Sequence, residues 1–134
     1  HYIARRQRQM CIRDREGTHD FTSFRAASCQ SNQPVRHVHF AKLIQHGELL
    51  VLDIQADGFL HHMVRNIMGT LFEIGRGEKP VAWIEALLLS KNRSLAAATA
   101  SADGLYLINV LYPPQFQSLL PVTRLSPIWL NLAE

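Results

Sequence analysis

The sequence predicts an α+β fold, a mainly antiparallel sheet with helices packed on one face. Three observations carry this. Residues 37–56 read as two β-prone runs around a glycine-containing turn. At Asp57–Gly58 the apolar spacing changes from that of a strand to that of a helix. At Leu105–Tyr112 it returns to that of a strand, before Pro113 and Pro114 stop it.

The elements follow in order. His37–Gln45 is rich in strand formers (Val38, Phe40, Leu43, Ile44), although its alternation is imperfect. His46–Gly47 makes a turn. Glu48–Ala56 then places Leu50, Leu52, Ile54 and Ala56 on one face and Asp53 and Gln55 on the other, so the pair predicts a hairpin. Leu60, Val64, Ile67, Met68, Leu71 and Ile74 form the apolar stripe of a helix of about four turns. Asp57 suits its start, and Gly75 and Gly77 suit its end. Pro80 opens a second helix that buries Val81, Ile84, Leu87 and Leu88. The alanine-rich Ser94–Ala102 has room for a short helical turn, and Asp103–Gly104 turns the chain into the last strand. Three strands make a thin sheet whose edges need covering, so part of the fold is expected to lie elsewhere.

With 134 residues, 47% of them hydrophobic, the chain suits one domain with a genuine core. It starts at His1 rather than methionine and is expected to be a piece of a longer reading frame. No apolar run approaches the roughly 20 residues that span a bilayer, and no secretory signal pattern is visible, so no membrane partner is expected. Cys11 and Cys29 lack CxxC spacing and read as free thiols in a reducing cytoplasm. The pI of 9.2 points toward nucleic acid only locally. Residues 1–16 hold Arg5, Arg6, Arg8, Arg13 and Arg15 against Asp14 and Glu16, and the rest has nine basic and nine acidic residues. That segment reads either as a disordered stretch or cloning scar, or as an arm that grips RNA. Its residues 1–15 offer no apolar face and are expected to pack poorly. Residues 17–114 read as the domain, and 115–134 as an extended tail anchored by side chains such as Trp129 and Leu130.

The densest polar cluster is His61–Asn66 (HHMVRN), at the start of the first helix. On a helix, His61, Arg65 and Gly69 share a face, and Gly69 thins it so that a backbone or ligand can approach. Arg65 either pairs with a carboxylate or lies over apolar neighbours with its charge in water. On the same helix His61 and His62 would point about 100° apart and could not chelate one ion. His37 and His39 share a strand face but lack a third ligand, so no metal site is expected. There is no GxSxG, no glycine-rich phosphate loop and no RNA-recognition-motif signature. In Asp20–Arg25 (DFTSFR), Phe21 and Phe24 either stack on a base or pin a loop into the core.

Three segments, HDFTSFRA at His19–Ala26, GFLHHMVRNIMG at Gly58–Gly69 and ADGLYLINVLYP at Ala102–Pro113, resemble in order and spacing the C-terminal half of TruA-type tRNA pseudouridine synthases. Trp83–Leu88 and Leu95–Ala100 match as well. The resemblance implies half of a pseudouridine synthase fold, with 17–114 as its C-terminal catalytic-fold domain. It implies isomerisation of uridine to pseudouridine in the anticodon stem-loop of tRNA, with no cofactor or metal. It also implies a flipped base, a nucleophilic aspartate, a homodimer, and the N-terminal half of the enzyme as partner. The aspartate's RTDxGVHA-like motif is absent from this sequence, so the chain alone is expected to be inactive. Arg65 matches the basic residue that pairs with that aspartate and keeps it ionised. Leu105, with Tyr106 beside it, matches the substrate pocket. Phe21, Phe24, Arg25, His61, His62 and Asn66 are the cleft or RNA-binding candidates. The alternative is a non-catalytic RNA-binding or dimerisation module; an RTDxGVHA-like segment upstream would decide for the enzyme.

Overall fold

Alternation that breaks in the middle of a strand has a structural cause here. The computed structural model describes residues 16–119; what was expected of residues 1–15, of Trp129 and of Leu130 lies outside them. The predicted hairpin is present as β2 (Val35–His46) and β3 (Leu49–Ala56), antiparallel, with Gly47 at φ 58° in the turn. Between Val38 and Phe40 the register shifts by a β-bulge. A bulge inserts one residue and reverses which face the following side chains occupy. Val38 therefore shares the buried face with Ala41 and Leu43, an even position with two odd ones. On β3, Leu50, Leu52, Ile54 and Ala56 all pack against the core, as their alternation predicts.

The third strand is not the predicted one. It is β1 (Gly17–Asp20), which pairs antiparallel with β2 to give the order β1-β2-β3. Its sequence GTHD carries no apolar side chain, so periodicity could not reveal it; backbone pairing makes it. The 3-10 turn Thr22–Phe24 follows, opened by Asp20, whose Oδ1 accepts from the Thr22 amide (2.9 Å) and hydroxyl (2.6 Å). Burial alone would raise the Asp20 pKa, but these bonds and Lys91, 3.7 Å away, hold it below the ordinary carboxylate value.

Two helices, α1 (Met63–Gly75) and α2 (Trp83–Ser90), complete the layer. Met63, Ile67, Leu71 and Ile74 of α1 and Ile84, Leu87 and Leu88 of α2 join Val38, Ala41 and Leu43 in one core, which Phe21 and Phe24 also enter. The helix α1 starts later than its sequence suggests. Asp57 does not cap it; its Oδ1 and amide instead bond the His37 amide and carbonyl, each at 3.0 Å, closing the end of β3 onto β2. Leu60 is buried but precedes the helix, and Met63, Asn66 and Thr70 take the buried positions that Val64 and Met68 were expected to lead. Of the alanine-rich stretch Ser94–Ala102, only Ser94 and Leu95 are helical, in the 3-10 turn Arg93–Leu95; the alanines after it are not.

The chain divides between Ser101 and Ala102 into two units. In the described part of the second, Ala102–Leu119, the Leu105 amide bonds the Ala102 carbonyl (3.0 Å) in a turn. The predicted strand Leu105–Tyr112 does not form. Alternation records a preference for a ladder but supplies no partner strand, and Leu107 and Leu111 stand largely exposed. The tail, expected to run extended from Gln115, instead begins with a single turn of helix, α3 (Pro114–Gln117), started by its proline.

Candidate functional site

The entry to α1 brings the two histidines together. His62 lies in the left-handed region at φ 61°, a conformation that costs a non-glycine residue of order 1 kcal/mol or more. Neither histidine is therefore within the helix, and the helical argument that set them about 100° apart fails. Their rings stack, with centroids 3.9 Å apart. For the same reason His61 does not share a helical face with Arg65 and Gly69. His61, between β3 and α1, is tied instead to the loop before β2: its Nδ1 lies 3.1 Å from Ser28 Oγ, and its carbonyl accepts from the Ala26 amide (3.0 Å). Ser28, Gln30 and His61 line an open depression.

Arg65 and Gly69 do share a face of α1, and a backbone does approach it. The approaching segment is Ala97–Ala100 of the same unit, which we term the strap. The Ala100 amide donates to the Arg65 carbonyl (3.2 Å), and Arg65 Nε donates to the Ala100 carbonyl (2.7 Å). A Cβ on Gly69 would overlap the Ala98 carbonyl oxygen, so only glycine allows this contact. The half-buried Arg65 thus spends its Nε on backbone, which fixes the guanidinium plane and leaves its two terminal nitrogens for another acceptor.

Among the described residues neither Arg65 nor Arg93 forms an ion pair. Their charge is felt by His62, whose pKa is lowered from its ordinary 6.5, first by desolvation and then by His61, Arg65 and Arg93. A folded state that resists protonation at His62 binds fewer protons there than the unfolded chain. This contribution therefore weakens stability as pH falls below the ordinary histidine value. An NMR titration should find His62 with a midpoint below 6.5, and Arg65→Ala should move it upward. A midpoint that stays put in the variant would remove Arg65 from this electrostatic cluster.

The remaining candidates are placed as follows. Phe21 and Phe24 are 0% exposed, so in this structure they pin the loop into the core and offer no face for a base to stack on. Arg25 Nη2 donates to the Cys29 (3.2 Å) and Ser31 carbonyls and knits the loop before β2. Asn66, also 0% exposed, donates to the Phe24 carbonyl (2.8 Å) and accepts from Arg93 Nη2 (3.0 Å) and Thr99 Oγ1 (2.6 Å). It organises the site from inside rather than facing solvent. Leu105 and Tyr106 lie in the second unit, each about half exposed. Sequence reasoning missed Arg93, Thr99 and Ser23. The buried Ser23 hydroxyl donates to the Leu87 carbonyl and accepts from the Asn92 amide (2.9 Å), joining the DFTSFR turn to the end of α2. No periodicity marks such residues, because their partners are distant in sequence.

Comparison with known proteins gives this geometry a family. The family model described as tRNA pseudouridine synthase matches residues 12–113. The chain is 60% identical over 119 residues to the tRNA pseudouridine synthase A of Acinetobacter baumannii (strain ACICU), covering 89% of this chain and 44% of that protein. It is 55% identical over 125 residues to the protein of the same name from Acinetobacter baylyi, covering 93% and 45%. Against that of Pasteurella multocida it is 55% identical over 115 residues, covering 86% and 43%. The chain therefore spans less than half the length of these curated relatives. Within that span, the chain belongs to the tRNA pseudouridine synthase family.

Proposed function

We propose that this chain is the C-terminal, arginine-bearing half of a TruA-type enzyme that isomerises uridine to pseudouridine in the anticodon stem-loop of tRNA. The observation that carries the reading is Arg65, a half-buried guanidinium held through Nε by the Ala100 carbonyl, with no ion pair to it seen among the described residues. An arginine held in this way is suited to an acid arriving from outside the chain. That acid would be the nucleophilic aspartate of the N-terminal half, kept ionised by the neighbouring cation. The reaction breaks the bond from the sugar to the uracil nitrogen and makes one to a uracil carbon; that carbon releases its proton and the freed nitrogen takes one up, so the product is an isomer. It is redox-neutral, so it calls for no electron acceptor. On the family resemblance, Leu105 and Tyr106 line the pocket for the flipped base. The same resemblance favours a cytoplasmic homodimer, and among the described residues no helix is long and apolar enough to cross a membrane.

The test is complementation. The chain alone should leave tRNA uridines unchanged, and mixing it with a separately produced N-terminal half should restore isomerisation, read by tritium release from tRNA labelled at uracil carbon 5. Isomerisation by the chain alone would defeat the proposal. Binding of tRNA with no activity in the reconstituted pair would favour the RNA-binding module instead.

A further inference from the structure

We infer that Arg93, Asn66 and Thr99 form a partly buried polar brace, rooted on the buried Asn66, that positions Arg65 for catalysis by holding the strap against α1. This inference rests on the reading of Arg65 given above and extends it to three residues with no role in that reading.

The brace is visible as a closed set of bonds. Arg93 Nη1 donates to the Ala97 carbonyl (2.9 Å), and its Nη2 donates to Asn66 Oδ1 (3.0 Å) and Thr99 Oγ1 (3.1 Å). The Thr99 hydroxyl donates to the same Asn66 oxygen (2.6 Å), and Asn66 Nδ2 holds the Phe24 carbonyl (2.8 Å). Asn66 is fully buried on α1, one residue from Arg65, so the brace is referenced to the core rather than to the surface. Arg93 and Asn66 thus fasten the strap at Ala97 and Thr99, and the next residue, Ala100, takes the two bonds to Arg65. Gly69 lets the strap lie close, whereas the brace sets its position along the helix. A guanidinium whose Nε is tied to a displaced carbonyl would point elsewhere. The partly buried Arg93 suits this role, since its rigid planar fork holds donors in a fixed geometry across the three acceptors, which a lysine's compact, flexible ammonium does not reproduce.

The experiment is a double-mutant cycle in the full-length enzyme that contains this chain, with single-turnover isomerisation of tRNA, tRNA affinity and thermal melting measured on each variant. Arg93→Ala and Thr99→Val should each lower turnover, Arg93→Ala by about 10- to 100-fold, as small misplacements of catalytic groups do, while tRNA affinity changes little. In an Arg65→Ala background neither change should lower turnover further, because a positioning residue has nothing left to position. Arg93→Lys should recover only part of the loss. The inference is overturned by equal losses with and without Arg65, or by full turnover in Arg93→Lys, which would make charge rather than geometry the cause. Should Arg93→Ala fail to fold, the Thr99→Val cycle decides, since valine keeps the shape and deletes only the hydroxyl. Near-normal turnover in Arg65→Ala itself would instead defeat the proposed function, a result distinguishable from failure of the brace.

Discussion

Replacing Arg65 with alanine in the full-length enzyme is expected to reduce turnover by about 100- to 1,000-fold, the usual cost of removing one preorganised charged donor from an active site. Affinity for tRNA should fall little. Phosphate contacts distributed over a binding surface dominate affinity for nucleic acid, whereas Arg65 is proposed to act on one carboxylate. The pH profile gives an independent sign. A guanidinium beside a carboxylate lowers its pKa, so without Arg65 that pKa rises. Activity that needs the ionised acid should then be lost at a higher pH as the solution is acidified, and the acid limb of the variant's profile should move upward. Arg65→Lys should rescue only in part, because it keeps a cation but gives up the Nε bond to the Ala100 carbonyl that orients it. Near-normal turnover in Arg65→Ala, with an unmoved acid limb, would remove Arg65 from the chemistry.

The parts of this fold that were legible in the sequence are those written in side-chain periodicity. The hairpin, the two helices and the apolar face of β3 came from alternation and helical spacing, and they stand in the structure. The failures have specific physical origins. β1 is four residues with no apolar side chain and is made by backbone pairing to β2. The stretch Leu105–Tyr112 has the alternation of a strand, but a ladder also requires a partner, which a local pattern does not encode. The start of α1 was misjudged because Asp57, a good capping residue, is used to tie β3 to β2. That error carried into the site, since it put His61 and His62 on a helix when His62 adopts the left-handed conformation before it. Arg65 and Gly69 were legible because they lie well inside α1. Arg93 was not, because Asn66, to which it ties the strap, lies on α1, 27 residues away in sequence, and only folding brings it within reach.

The contact between Gly69 and the strap sets two opposed effects against each other, and their magnitudes decide the outcome of Gly69→Ala. In an open helix interior this change is favourable by about 1 kcal/mol, since alanine is the better helix former. Here the added methyl would meet the Ala98 carbonyl oxygen, with the Ala98 carbonyl carbon at 3.3 Å and the Ala100 nitrogen at 3.6 Å behind it. These are backbone atoms, which cannot rotate away as a side-chain end can. Overpacking of this kind costs about 1–3 kcal/mol and sometimes more, and moving the strap also strains the two bonds between Ala100 and Arg65. The net expectation is destabilisation by about 2 kcal/mol, a fall in melting temperature of roughly 10 °C for a domain of this size. Gly104 provides the control: it has open space around its Cβ position and no positive φ, so Gly104→Ala should leave the melting temperature nearly unchanged. A melting temperature for Gly69→Ala equal to or above that of the parent chain would show that the helix is free of the strap at Gly69. The anchoring of Arg65 through Ala100 would then have to be abandoned with it.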